Sequence, residues 1–305
     1  MDLKQIEYIV TIADERSITR AAEKLFITQS ALNQQLLKLE KYLGAPLFFR
    51  SRSDCYPTEA GKVYLKTARE MIRMRRETYN RIHDIAENKK GFLSVGFTPG
   101  RGVAMFSVVY PAFHHAYPDV ILEPKELSVH SQQKLISQGK LDIGFMTLRD
   151  SDKTNDHYTD IIDEEIILAI PENYPLKELA IPVSSADSDL SVMDIFHFRY
   201  EPFVLMYKES TIRSLVDSIF QEAGFTPHVL FETSNTGTIV TTIRSKLCCG
   251  VIPYYYYKLD PRGMSCYHLP SRPSWHISVS YKKGSYLSDA AKEFIRLASE
   301  YWQKI

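Results

Sequence analysis

Cysteine is scarce in this 305-residue chain: four residues, at 55, 248, 249 and 266, with no CxxC pair and no regular spacing. That pattern excludes a disulfide framework or a structural zinc site as the organising device, and no metal or cofactor is expected. Long apolar runs are missing too. None approaches the ~20 residues that span a bilayer, so no membrane partner is expected. The opening "MDLKQIEYIV" has no basic stretch leading into an apolar one, hence no secretory signal. A reducing cytoplasm fits these absences. Catalytic signatures are also lacking: no HExxH, no nucleophile elbow, no Walker loop. His114 and His115 are adjacent, and on a helix they would point roughly 100° apart, a poor metal pair. An enzyme is therefore not expected.

What is present is the composition of an ordinary globular chain, 44% apolar and 24% charged, with the length for two or more domains. The net charge of zero hides an asymmetry. Residues 1–90 carry 17 Lys and Arg against 12 Asp and Glu, or +5; the rest carry 20 against 25, or −5. A basic first third points to a polyanion partner for that part alone, although five charges in 90 residues is modest.

Leu3, Ile6, Val10 and Ala13 fall at helical spacing and predict a helix over 2–14. Ser17 or Thr19 caps a second short helix through about Leu25. Thr28 caps a third, through about Tyr42 and ending at Gly44. "APLFFRSRSDCYPTEAG" supplies short pieces for a two-stranded wing. From Thr58 to about Asn88 a long helix is expected. Its Leu65, Ala68, Ile72, Arg75, Tyr79, Ile82 and Ala86 stand alternately three and four apart, a heptad seam with one charged exception. A dimer seam is the favoured reading; an amphipathic helix packed on its own domain is the alternative.

Beyond "AENKKG", a hinge, strands and helices alternate: "FLSVGF", "VAMFSVVYPAFHHAY", "DVILEPKEL", "SQQKLISQ", "LDIGFMT". This order predicts a parallel α/β sheet. "IIDEEIILAIP" carries the chain into a second lobe. There "PFVLMY", "IRSLVDSIFQEAG", "HVLFET", "TGTIVTTIRS" and "LCCGVIP" repeat the pattern. "SWHISVSYKKG" and "SDAAKEFIRLASEYW" add a strand and a closing helix. "YYYY" (254–257) reads as an alternating strand covering a lobe edge.

The stretch "AAEKLFITQSALNQQLLKLE" breaks a helix at "LFIT", restarts it at once, and coats the new one with amides and hydroxyls. Two short helices joined by a tight turn fit a helix-turn-helix, with a plain helical hairpin as the alternative. Ala22, Leu25, Ala31, Leu32, Leu36 and Leu39 would form its buried side. Gln29, Ser30, Asn33 and Gln34, at the front of the second helix, are the types that reach base edges in a major groove.

"SITRAAEKLFITQSALNQQLLKLEKYLGAPLFFR" resembles the N-terminal signature of the LysR-type transcriptional regulators. The matching residues are Ser17, Thr19, Ala21, Ala22, Leu25, Thr28, Gln29, Ala31, Leu39, Glu40, Leu43, Gly44, Leu47, Phe48 and Arg50. "TEAG" (58–61) is similar to the start of that family's linker helix. "YPAFHHAYPDVILE", "LISQGKLDIGF", "IFQEAGFTP", "CCGVIP" and "KKGSYLSDAAKEFI" extend the likeness, more loosely, over essentially the whole chain. Three departures stand out: Asn33 where Ser is common, Pro57 where Leu is usual, and "SKLCCGVIP" in place of a Gly-richer run.

The resemblance implies an α+β multidomain fold. Residues 1–58 would be a winged helix-turn-helix and 59–90 a linker helix for dimerisation and a hinge. A two-lobed α/β effector domain like the periplasmic binding proteins would follow, with 91–163 and 268–305 in lobe 1 and 164–267 in lobe 2. The implied function is a bacterial, ligand-responsive transcription regulator that reads an interrupted palindrome as a dimer or tetramer. Its partners would be double-stranded DNA, another copy of itself, a small-molecule effector and, for an activator, RNA polymerase. Gln29, Ser30, Asn33 and Gln34 would read bases; Thr28, Lys38, Arg50 and Arg52 would hold phosphates. Leu65, Ala68, Ile72, Tyr79 and Ile82 would pair the linker helices. Thr98, Arg101, Ser128, Thr147, Ser234, Asn235 and Thr236 would line an interlobe cleft, with Arg101 placed for a ligand carboxylate. Capping, turn formation or simple exposure are the plainer explanations for each of these seven. A thiol-based redox sensor of the same fold is the alternative within this class, resting on vicinal Cys248 and Cys249, which a strand would send to opposite faces, and on Cys266. A small-molecule-binding protein or an enzyme is the remote one.

Overall fold

The computed structural model describes residues 2–50, 55–87, 89–182 and 190–304. Two compact units divide the chain: Met1–Gly91 with Ser137–Lys140, and Phe92–Ile136 with Leu141–Ile305.

In the first unit, each helix begins where a side chain accepts a free N–H. Asp2 caps α1 (Leu3–Glu15), Ser17 caps α2 (Ile18–Lys24) and Thr28 caps α3 (Gln29–Leu43). Gly44 closes α3 in the left-handed region at φ 71°. The "LFIT" break is a helix stop that uses no glycine. Phe26 takes φ 53°. Its N–H donates to the Glu23 carbonyl, and that of Ile27 donates to Ala22, the two bonds of a Schellman motif. Ile9, Ile12, Ala21, Ala22, Leu32, Leu36 and Leu39 form the core. Ala31 does not join them; it is exposed, and Leu25 is only half-buried. Helical geometry explains the error, because Ala31 stands about 140° round from Leu36.

The wing pairs β1 (Phe48–Arg50) with β2 (Cys55–Pro57) antiparallel, Phe48 opposite Pro57 and Arg50 opposite Cys55. Glu40 sets its approach: this buried carboxylate accepts the Leu47 N–H at 2.8 Å. Thr58 then starts α4 (Glu59–Ile85), accepting the Gly61 N–H at 3.0 Å and donating to the Pro46 carbonyl at 2.7 Å. Gly61 is required here, since a Cβ would lie 2.0 Å from the Leu47 carbonyl oxygen.

The seam on α4 is corrected in its first half. Leu65 and Ala68 are buried inside the single chain, Leu65 within the head core, and Arg75 pairs with Glu7 of α1. Ile72 is half-buried, while Tyr79 and Ile82 are exposed. The reason is length. Thirteen residues of α1 against 27 of α4 mean about 20 Å of cover for about 40 Å of helix. A different apolar stripe is open. Val63, Met71, Met74, Ile82 and Ile85 are exposed and fall within an arc of roughly 100° turned away from Leu65.

The second unit is built on a mixed sheet, not the parallel one expected. Strand β3 (Lys90–Phe97) lies parallel to β5 (Ile143–Leu148), with β4 (Asp119–Glu126) beyond it. The long β6 (His157–Pro171) and β11 (Ser274–Tyr281) run antiparallel to each other, and β11 also antiparallel to β5. A chain that leaves one lobe along β6 and returns from the other must lay its returning strand in the opposite sense. Helices α5 (Arg101–Ala116) and α10 (Asp289–Gln303) cover this sheet around Phe97, Met105, Phe113, Phe145 and Phe294.

The far half of β6 pairs with β9 (Gly250–Pro253) and β10 (Met264–Tyr267). Beside them β7 (Pro202–Met206) and β8 (His228–Thr233) run parallel. Alternation along β6 sends Ile166, Leu168 and Ile170 into one core, with α7 (Thr211–Glu222), and Ile167 and Ala169 into another, with α8 (Thr236–Arg244). Cys249 and Cys248 likewise enter different cores. "YYYY" is not a strand: Tyr255–Leu259 is a short helix, α9, and Tyr255 is buried with the first lobe's core. Between β4 and β5 lies α6 (Val129–Ser137).

Candidate DNA-binding surface and ligand cavity

On α3 the burial of Leu32, Leu36, Leu39 and Glu40 fixes which face looks outward. Gln29, Ser30, Gln34 and Lys38 are exposed, while Asn33 is half-buried. Gln34 stands nearest the middle of the open face, with Lys41, Lys38 and Ser30 beside it and Asn33 on its flank, while Gln29 is exposed at the helix start in line with the buried stripe. Ala31, Leu37 and Lys41 also share it. Sequence reasoning read Ala31 as core and gave Leu37 and Lys41 no role. The Thr28 hydroxyl accepts from the Ala31 N–H at 3.2 Å, so this residue is first of all a cap. Arg50 ends β1, and Arg52 lies outside the described residues.

A cavity of about 240 Å³ lies in the second unit. It is lined by the first residue of each of four helices: Arg101 of α5, Val129 of α6, Thr211 of α7 and Thr236 of α8. Six of the seven predicted effector residues reach it, namely Thr98, Arg101, Ser128, Thr147, Ser234 and Thr236. Asn235 does not; its side chain caps α8 by accepting the Gly237 N–H at 2.7 Å. Ser128 also caps, accepting from Ser131 N–H at 3.3 Å. The sequence reading missed Met206, Ser210, Thr211, Ile212, Tyr256 and Trp275. Ser210 and Thr211 look in sequence like a helix start and nothing more. Tyr256 and Trp275 come from segments that only the fold brings near.

Arg101 is not a free cation. It is buried against Glu164 at 2.5 Å, which also accepts from Trp275 Nε1 at 2.8 Å and from the Tyr255 N–H at 3.1 Å. Burial raises the Tyr256 hydroxyl above its ordinary value, so it stays a neutral donor.

The thiols are poorly placed for redox chemistry. All four cysteines are free and buried. Burial pushes Cys248 up to about 11 and Cys266 to about 12, and Cys249 upward as well. Thiolate, the reactive form, is therefore disfavoured at each. Among the described residues, one surface group could hold a metal ion, Asp150 with Asp160 and His276. There the Lys153 ammonium already bridges the two carboxylates, at 2.7 and 2.8 Å.

Both parts of the chain match known proteins. Residues 3–62 match the bacterial regulatory helix-turn-helix protein, lysR family, and residues 86–303 match the LysR substrate binding domain. The chain is 28% identical to the HTH-type transcriptional regulator YcgK of Bacillus subtilis, over 98% of this chain and 94% of that one. A full-length OxyR variant from Pseudomonas aeruginosa shares the fold with a TM-score of 0.70 at 22% identity, over 98% of this chain and 94% of that one. CbnR in complex with its target DNA does so with a TM-score of 0.60 at 18% identity, over 98% and 99%. With the two matches spanning nearly its whole length, a reading head before a two-lobed cavity domain, the chain belongs to the LysR family of transcriptional regulators.

Proposed function

We propose that residues 1–58 read one half of an interrupted palindromic operator and that 59–90 join two copies. In this reading the cavity domain biases the assembly when a small molecule binds. The observation that carries it is the outward face of α3, where Ser30 and Gln34 lead and Lys38 and Lys41 follow. Amides and hydroxyls on that face match base edges, and flanking lysines match phosphates. CbnR, which shares the fold, is seen with its target DNA. Arg50 and Arg52 would add phosphate contacts.

Pairing of the linker helices is assigned to Met71, Met74, Ile82 and Ile85, with Tyr79 at the margin, because Leu65 and Ala68 are already buried. The assembly is a dimer or a tetramer of the whole chain. It works in the cytoplasm, and RNA polymerase is a further partner if the chain activates transcription. The cavity takes the effector, and lobe movement couples it to DNA through unequal affinity for two arrangements. No helix among the described residues is long and apolar enough to cross a membrane.

The test is a salt-titrated binding assay on operator and random DNA. Gln34→Ala should cut operator preference by roughly 1–3 kcal/mol and leave the salt slope nearly unchanged. Equal losses on both DNAs would refute base reading by α3.

A further inference from the structure

Phe26 combines two extremes. Among the described residues no large apolar side chain is more open, at 96% exposure. Seven described residues other than glycine take a left-handed φ; five are charged, one is Asn173, and the seventh is Phe26. That backbone costs any residue with a Cβ stability that glycine would restore. A single exposed apolar side chain is ordinary. One held on strained backbone, with its ring giving nothing to the core, points to a use outside the chain.

The turn fixes where the ring stands. Leu25 and Ile27, on either side, pack against the head core. The Phe26 N–H donates to the Glu23 carbonyl at 3.1 Å and the Ile27 N–H to that of Ala22 at 3.0 Å, so the backbone is tied at this point. Phe26 comes two residues ahead of Thr28, the cap of α3, which keeps their Cα atoms within about 8 Å. A docked helix-turn-helix brings the first residues of its second helix to base edges in the major groove. The ring therefore stands where α3 enters that groove.

The chemistry selects the contact. A benzyl group has no charge and neither donates nor accepts a hydrogen bond. Against phosphates or polar base edges it would displace water and return no bond. The one apolar group that base pairs present in the major groove is the thymine C5-methyl. Resting on the reading of α3 as the base-reading helix, we infer that Phe26 is a specificity-determining residue, in contact with a thymine methyl in each half-site. Gln34 and Ser30 then read polar edges, and Phe26 reads an apolar one.

The test uses the full chain and the duplex it selects from a random-sequence library. Each thymine in turn is replaced by deoxyuridine, which removes the methyl group and leaves the base's hydrogen-bonding groups in place. Affinity is read by fluorescence anisotropy. At one position per half-site, deoxyuridine should weaken binding about fourfold. Phe26→Gly should weaken the thymine duplex by at least as much, and should bind thymine and deoxyuridine alike at that position. Phe26→Leu, which restores an apolar side chain, should recover most of the difference. Ala31 is also exposed and could meet a methyl of its own; loss of the thymine effect in Phe26→Gly separates the two. Misfolding does not confuse the outcome, since relief of the backbone should raise the thermal midpoint of Phe26→Gly. Deoxyuridine weakening the parent and Phe26→Gly equally at every position would overturn the inference. So would a loss in Phe26→Gly that is the same on selected and random duplexes, the mark of a sugar–phosphate contact. If Gln34→Ala lowers operator preference while Phe26→Gly does not, the thymine contact falls and base reading by α3 stands. If neither does, or no duplex is selected, both fall.

Discussion

The reading head and the ligand cavity are built in opposite ways. The head's outward face comes from one helix of 15 residues, α3, so its chemistry is contiguous in sequence. The cavity draws its wall from the starts of four helices and from Pro253, Tyr256 and Trp275 besides. A contiguous surface is set by local periodicity and tolerates change at each outward position independently. A wall assembled from distant segments depends on every lobe contact that brings them together. The contrast teaches where function can vary freely and where it is tied to folding.

The sharpest way to break the comparison is to cross the boundary on α3 itself. Leu36 is fully buried and Leu37, next to it, is 47% exposed. Leu36→Ala should cost about 2–5 kcal/mol of head stability, and Leu37→Ala should stay within about 0.5 kcal/mol, both measured by denaturant unfolding. Equal costs would show that the outward face is packed after all. Next in size, Met74→Glu with Ile82→Glu should weaken self-association about a hundredfold, near 2.7 kcal/mol, by sedimentation. Leu65→Glu should instead unfold the head. If the first variant remains as dimeric as the parent, the stripe on α4 is not the pairing face.

A smaller effect concerns the turn. Phe26 sits in the left-handed region and is 96% exposed, so it gives nothing to the core. Phe26→Gly should raise head stability by about 1 kcal/mol, measured by the thermal midpoint. A loss of operator affinity in the same variant would show that the ring was kept for DNA. The least change is expected at the thiols. With Cys248 up at about 11 and Cys266 at about 12, thiolate is scarce at pH 8 and gains only as pH climbs towards those values. Iodoacetamide should label the folded chain slowly at pH 8, and peroxide should leave operator binding unchanged. Fast labelling or a peroxide-dependent change would restore the redox alternative.

Legibility in the sequence followed the same division. Ser17, Thr28, Thr58 and Gly44 announced their helix ends because capping is a bond between neighbours. Thr98, Ser128, Thr147 and Ser234 were placed at the cavity by family likeness, and the fold brings them there. Ala31 was misjudged because an alanine fits either side of an amphipathic helix. The "YYYY" helix was misjudged because four tyrosines favour a strand until Tyr255 finds a core to enter. The parallel sheet was misjudged because strand order in sequence carries no record of a chain that leaves a lobe and returns.

By itself, the sequence determined the helix ends, the polar front of α3, the alternation that splits β6 between two cores, and the family. These rest on contacts within a few residues or on a fixed periodicity. Only the tertiary structure decided that Leu65 serves the head and not a partner, that Arg101 is held by Glu164, and which side of α4 stays open. Those outcomes depend on which surfaces, distant in sequence, pack against a side chain. Leu65 and Ile82 read alike in the sequence; the reach of α1 and the roughly 100° between them round α4 separate them.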